Sequence, residues 1–205
     1  MLKKEIRALE FEVRAGEGEQ PGRITGRAIV AGKRTNIGPF DEIIDAGALR
    51  QTDLRDVRLL VNHNTDMVPL ARSRNNTENS TMQLTVDAEG NLDIRADLDI
   101  EHNTDAAALY SAIERGDISG MSFMMTVRGE NWEDINSNHP TRHVADIERV
   151  YEVSAVTWPA YTATRIHARG LPDALESAEA ALESERTRIR EIENKKRKIK
   201  ILMEG

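Results

Sequence analysis

A chain with no cysteine and five histidines offers imidazole, hydroxyl and carboxylate groups, but no thiol, for acid–base or nucleophilic chemistry. Disulfides, thiolate zinc sites, iron–sulfur clusters and a cysteine nucleophile are all excluded. The histidines are His63, His102, His139, His143 and His167. His63 follows the apolar stretch 57–61 and opens the polar loop 64–69. That position, at the end of a buried strand, suits an imidazole facing a cleft and acting as a base near neutral pH; the plainer alternative is a histidine at the edge of the core. A second locus is Gly116-Asp117-Ile118-Ser119-Gly120-Met121-Ser122-Phe123. Here a helix ending in glycine meets a strand, and Ser122 stands between large apolar residues. Gly120 leaves room for backbone to approach a ligand, and the turn could aim amides at an oxyanion. With Met124 in place of a second glycine and no preceding strand, it is not a nucleophile elbow of the α/β-hydrolase kind. A serine in an ordinary helix-to-strand turn is the competing explanation.

The third locus is the stretch 149–161, in which strand alternation sets Glu152, Ser154 and Val156 on one side and Tyr151, Val153 and Ala155 on the other. Glu152 interrupts a face expected to be partly buried, and a buried carboxylate needs a partner. An imidazole would serve; so would Arg149 or water at a sheet edge. His139 and His143 have the i, i+4 spacing of a helical metal pair, but Pro140 follows the first and no HExxH glutamate is present. The segment reads as a loop before a strand, and no metal or cofactor is expected.

The elements that would carry these residues are mostly strands. Alternating stretches bounded by turn residues predict strands over 6–13, 23–30, 58–62, 82–87 and 92–99. Residues 88–91 form a turn between two of them, with Leu84, Val86, Leu92, Ile94, Ala96 and Leu98 lining one buried face. Residues 104–115 predict a helix opened by a Thr cap or a first-turn Asp and closed at Gly116. Two further β stretches, 119–127 and 144–157, complete an α+β domain in which a partly closed antiparallel barrel is favoured over a parallel sheet.

Composition changes near residues 170–172. The last 35 positions, 171–205, hold eight acidic and eight basic residues and no aromatic, so the formal charge of −7 belongs to residues 1–170. Pro172 suits a first helical position, acids crowd the early turns and bases the end, which suits a helix dipole. Leu175, Ala178, Leu182, Ile189, Ile192, Ile199 and Met203 give a 3-4 apolar spacing that Glu185 and Lys196 interrupt. The tail is expected to be a long helix, solvated or docked on a partner, with a disordered segment as the remaining alternative. A net charge of −7 disfavours nucleic-acid binding through phosphates, and no apolar run is long enough for a membrane span.

In order and context these segments resemble the prohead proteases of tailed bacteriophages, capsid-maturation enzymes similar in fold to herpesvirus assemblins. The resemblance is carried by Gly38-Pro39-Phe40-Asp41-Glu42-Ile43-Ile44 through Gly47-Ala48-Leu49, by Leu59-Leu60-Val61-Asn62-His63-Asn64 with Pro69-Leu70-Ala71-Arg72, by the stretch 116–123, and by 151–161. It spans about residues 23–165 and implies a serine endopeptidase with a herpesvirus-protease type of barrel, which with the compositional boundary gives a protease domain over 1–170 and a helical tail over 171–205. It implies Ser122 as nucleophile, His63 as general base and Glu152 as the group orienting the imidazole. Ser119 is the alternative nucleophile and His143 the alternative third member. The substrate would be the scaffold, or the scaffolding segment of the major capsid protein, inside the procapsid in the host cytoplasm. The chain itself would be a further substrate, with homo-oligomers left open. A non-enzymatic assembly or scaffolding protein of the same fold is the second reading, and a metal-dependent hydrolase built on the histidine pair the third.

Overall fold

The computed structural model describes residues 4–9, 13–15, 20–157 and 172–204. Two sheets and two α-helices make up an α+β architecture. The smaller sheet is antiparallel, in the order β2 (Val13–Ala15), β3 (Arg23–Ile29), β9 (Leu92–Asp97), β8 (Met82–Val86). The expected turn joins β8 to β9, and Gly90 within it has φ +88°. A Cβ there would lie 2.2 Å from the Ala46 carbonyl oxygen, so only glycine fits. Of the expected buried face, Leu84, Leu92, Ile94, Ala96 and Leu98 are buried, whereas Val86 at the strand end is 41% exposed.

The larger sheet has seven strands. Its backbone is the hairpin of β10 (Gly120–Glu133) and β11 (Thr141–Val156), with β1 (Lys4–Leu9) antiparallel on the outer edge of β10. The inner edge of β11 receives two strands in parallel. These are β5 (Asp41–Ile44) along Thr141–Val144 and β6 (Arg58–Val61) along Glu152–Ala155. Short β4 (Thr35–Asn36) and β7 (Ala71–Arg72) extend β5 and β6. Helix α1 (Thr104–Glu114) adds Ala106, Leu109 and Ile113 to a core shared with both sheets, in which Phe123, Met121, Met125, Val153 and Ala155 are buried.

Several expectations change in detail. The single strand over 6–13 is two, β1 and β2, in different sheets. The antiparallel arrangement is a mixed sheet, because β5 and β6 run parallel to β11. The hairpin strands are longer than expected, since register shifts between Met124 and Glu130 interrupt the alternation that would have revealed them. Helix α1 is capped by Asn103, whose side chain accepts from the Asp105 and Ala106 amides at 3.0 and 3.2 Å. Its extended backbone and short amide side chain fit that role.

Helix α2 (Pro172–Glu204) spans 33 residues, or about 50 Å. It is docked in its first half. Leu182 packs with Phe40, Ile37, Trp132 and Ile135, and Arg186 donates to the carbonyls of Ile135 and Ser137. Beyond that, Ile192, Ile199, Ile201, Leu202 and Met203 are exposed.

Candidate active site

β10 and β11 lie in register with Ser122 directly opposite Ser154 and Met124 opposite Glu152. Directly opposed residues share a face and side chains alternate along a strand, so Ser122, Ser154 and Glu152 form one patch across the hairpin. β6 enters beside it in parallel with β11, and the chain then turns sharply. Asn62 and His63 both adopt left-handed backbone, φ 50° and 57°, a conformation uncommon for a side chain as large as histidine. The turn is held to the end of β11. The Asn62 amide donates to the Ala155 carbonyl at 3.0 Å, and its side chain exchanges hydrogen bonds with the Thr157 amide and hydroxyl.

That turn brings the His63 ring over the patch. Its Nδ1 lies 2.6 Å from Glu152 Oε1 and its Nε2 2.5 Å from Ser122 Oγ. The imidazole is 6% and the Glu152 side chain 4% exposed. Ser154 closes the arrangement, donating its hydroxyl to Glu152 Oε2 at 2.5 Å and accepting the His63 backbone N–H at 3.1 Å. A carboxylate at Nδ1 fixes the ring hydrogen there and leaves the Nε2 lone pair facing the serine hydroxyl. A neutral imidazole can take the hydroxyl proton in that tautomer.

The three residues singled out in the sequence therefore meet, although they are separated by up to 89 positions. The alternatives lie elsewhere. Ser119 is exposed in the turn before β10. His143 sits on β11 with Nδ1 3.0 Å from Asp45 Oδ1 and Nε2 3.3 Å from Glu133. His139 Nε2 lies 2.9 Å from Asp41, so the two histidines have separate partners. Among the described residues no group of three or more His, Asp or Glu could hold a metal. His102 is exposed beside Asp99, and His167 and residues 158–161 lie outside the described residues. Gly120 to Ser122 run in the ladder with Val156 to Ser154, so the backbone there is strand, within the β stretch expected over 119–127.

A family model described as caudovirus prohead serine protease matches residues 9–177. The chain belongs to that family. The match covers the whole hairpin, the β6 turn and the first residues of α2, and so includes His63, Ser122 and Glu152. No curated protein and no solved structure matches the chain. Membership in a family of serine proteases gives the imidazole–hydroxyl pair a chemical context, and residues 4–8 of β1 fall outside the matched stretch.

Two parts of the site had a faint signal in the sequence or none. Ser154 shares the alternation of Glu152, but its bond to the His63 amide depends on the left-handed turn. The covering of Ser122 by β1 had none: Ala8 pairs with Ser122, and the serine hydroxyl donates to the Arg7 carbonyl at 2.8 Å. Ser122 is 0% exposed.

Proposed function

We propose that this chain is the serine endopeptidase of a tailed-phage procapsid, cutting the scaffold or the scaffolding segment of the major capsid protein. The observation that carries this is the His63 ring spanning Ser122 Oγ and Glu152 at hydrogen-bond distance on both nitrogens. In the proposed mechanism Ser122 Oγ attacks the scissile carbonyl as His63 Nε2 takes its proton. His63 then gives that proton to the leaving amine, and water, deprotonated by the same ring, releases the acyl-enzyme. Glu152 keeps the ring in its tautomer and balances the imidazolium.

Residues 1–170 would form the protease domain and 171–205 the tail. A partly closed barrel of the herpesvirus-protease type is supported by contacts across the larger sheet. β1 and β5 are separated by two strands, three spacings of about 4.8 Å each, yet Arg7 Nε donates to Glu42 Oε1 at 2.6 Å. The two extended side chains cover most of that span, and coiling of the hairpin would shorten the rest. The exposed apolar end of α2 is offered as the surface that binds helical scaffold inside the procapsid. Among the described residues no helix is long and apolar enough to cross a membrane.

The deciding experiment is labelling with a fluorophosphonate probe together with co-expression with the capsid protein. Labelling at Ser122 that vanishes in Ser122→Ala, with capsid trimming lost in the same variant, supports the reading; trimming by Ser122→Ala at the normal rate overturns it. Self-cleavage of the tail is tested by intact mass: identical full-length masses for wild type and Ser122→Ala under assembly conditions count against it. A non-enzymatic assembly protein has one observation in its favour, the complete covering of Ser122.

A further inference from the structure

The strand that carries Glu152 carries a second charged residue on the same face. Arg149 lies directly opposite Thr126, as Glu152 lies opposite Met124 and Ser154 opposite Ser122, and these alternate positions of β10 share one side of the sheet. A register shift at Met124/Met125 leaves Tyr151 out of the ladder between Val150 and Glu152. The Tyr151 ring faces Arg149, whose Cζ stands 5.0 Å from the ring centroid, and Lys4 Nζ lies 4.4 Å from the same centroid. An aromatic face attracts a cation through its quadrupole, so the Arg149 guanidinium has a support of its own. On the other flank of β11, Arg58 stands beside Glu152 in the parallel register of β6.

What Arg149 lacks is a hydrogen-bonded anion. The carboxylate beside it, Asp53, lies 3.8 Å from Nε, and both Asp53 oxygens already accept from Arg55 at 2.9 Å. Asp56 takes Arg72 at 2.6 and 3.0 Å and Arg58 at 3.2 Å. Glu148 accepts the Thr126 hydroxyl at 2.9 Å. The neighbouring carboxylates are thus held by other donors, while Arg149 Nε is buried with no partner and the side chain as a whole stays 36% exposed. A buried donor left unpaired is rare and destabilising. An anion arriving from solution would reach this guanidinium without displacing a hydrogen-bonded one.

We propose that Arg149, on its Tyr151 platform, reads an acidic side chain of the substrate. A guanidinium presents paired donors that match a carboxylate, and it does so best when stacking has already fixed its plane. Thr126, opposite Arg149, is four residues from Ser122 along β10, a distance of about 13 Å. Extended peptide covers that in about four residues, which sets the Asp or Glu about four positions from the scissile bond. This deepens the proposed Ser122–His63–Glu152 chemistry and rests on it. It adds a sequence preference, set by a residue that touches none of the reacting atoms.

The test profiles, by mass spectrometry, the cuts made in a proteome-derived peptide library by the full chain and by Arg149→Lys, Arg149→Gln and Arg149→Glu, with near-UV circular dichroism reporting the fold. Wild type is expected to favour Asp or Glu over Asn or Gln about tenfold at one position, about three to five residues from the cut. Arg149→Lys should keep part of that preference and Arg149→Gln should lose it. Arg149→Glu should replace it with a preference for Lys or Arg at the same position, an inversion that a merely structural arginine would not produce. Arg149→Gln, which adds no charge beside Asp53, decides the matter if the glutamate variant fails to fold. Cuts with no acidic preference in that window, or a preference unchanged in Arg149→Gln, overturn the subsite and leave the protease standing. A library left uncut by the wild type overturns the protease reading on which the subsite rests, a different failure.

Discussion

Ser154 ties together the two groups that set the His63 ring: its hydroxyl donates to Glu152 at 2.5 Å and accepts the His63 amide at 3.1 Å. Both bonds go to the groups that hold the ring and neither goes to Ser122, so its part is positioning. Since Ser154 is fully buried, its loss also leaves the His63 N–H without that acceptor.

Ser154→Ala is therefore expected to lower kcat about 10–100-fold, the scale of loss that slight misplacement of reacting groups produces, with KM little changed. Ser154→Thr should recover part of the loss because it keeps the hydroxyl. A purely structural role would instead lower stability without separating Ala from Thr in kcat, and steady-state kinetics with a capsid-derived peptide distinguishes the two.

Across the proposed reacting group the losses should be graded. Ser122→Ala and His63→Ala should each cost about 10⁶-fold in kcat, and Glu152→Gln about 10⁴-fold. Glu152→Gln is milder because the amide keeps the shape and loses only tautomer control and charge. The double variant Ser122→Ala/His63→Ala should be no slower than either single one, since the two act as a unit. A His63→Ala chain that trims its capsid protein normally would end the assignment.

What the sequence showed and what it hid follow from how each feature is encoded. Leu92, Ile94 and Ala96 alternate without interruption, and that strand was legible. The hairpin around Met124–Glu130 carries register shifts, so alternation fails in its middle and its length was understated. Parallel pairing of β5 and β6 to β11 leaves no local trace, because nothing in Asp41–Ile44 names its partner. His63, Ser122 and Glu152 were visible as motif residues in order, but their meeting depends on a left-handed turn at Asn62 and His63. Glu185 was read as a break in the tail's apolar stripe. It is 8% exposed and accepts from Arg188 at 2.6 and 2.7 Å, so the docked face of α2 includes a paired carboxylate that an apolar pattern cannot reveal.

Acid should loosen β1 before it unfolds the rest. Burial alone would push the Glu5 carboxyl up, but Arg7 and Arg142 beside it hold it below its ordinary value of 4.5. A carboxyl lowered in the folded chain contributes stability that is present above the unfolded value and lost as pH falls through the folded one. Amide exchange over residues 4–9, corrected for its intrinsic pH dependence, is thus expected to be constant from neutral pH to about 5 and to rise below 4.5. The facing groups are Arg7, Arg142, Glu42 and Glu130, and the two guanidiniums stay charged throughout. Glu5→Gln should exchange faster at neutral pH and lose most of the acid dependence. A wild-type profile that stays flat to pH 3 would contradict this.

The docking of α2 rests on few residues, so it should be separable from the fold of the β domain. Leu182 is 7% exposed against the fully buried Phe40, whose ring meets Trp132 edge-on with centroids 4.9 Å apart. Truncating a buried leucine costs about 2–5 kcal/mol, and a charge there costs more because the carboxylate has no partner. Leu182→Asp should therefore release the helix while both sheets, whose core excludes Leu182, remain folded. In a Trp158→Phe background the emission of Trp132 should shift to the red. Near-UV signals from the rest of the core and the midpoint of the main unfolding transition should change little. Global unfolding of this variant under native conditions would mean instead that α2 is part of the folding unit and not an appended tail.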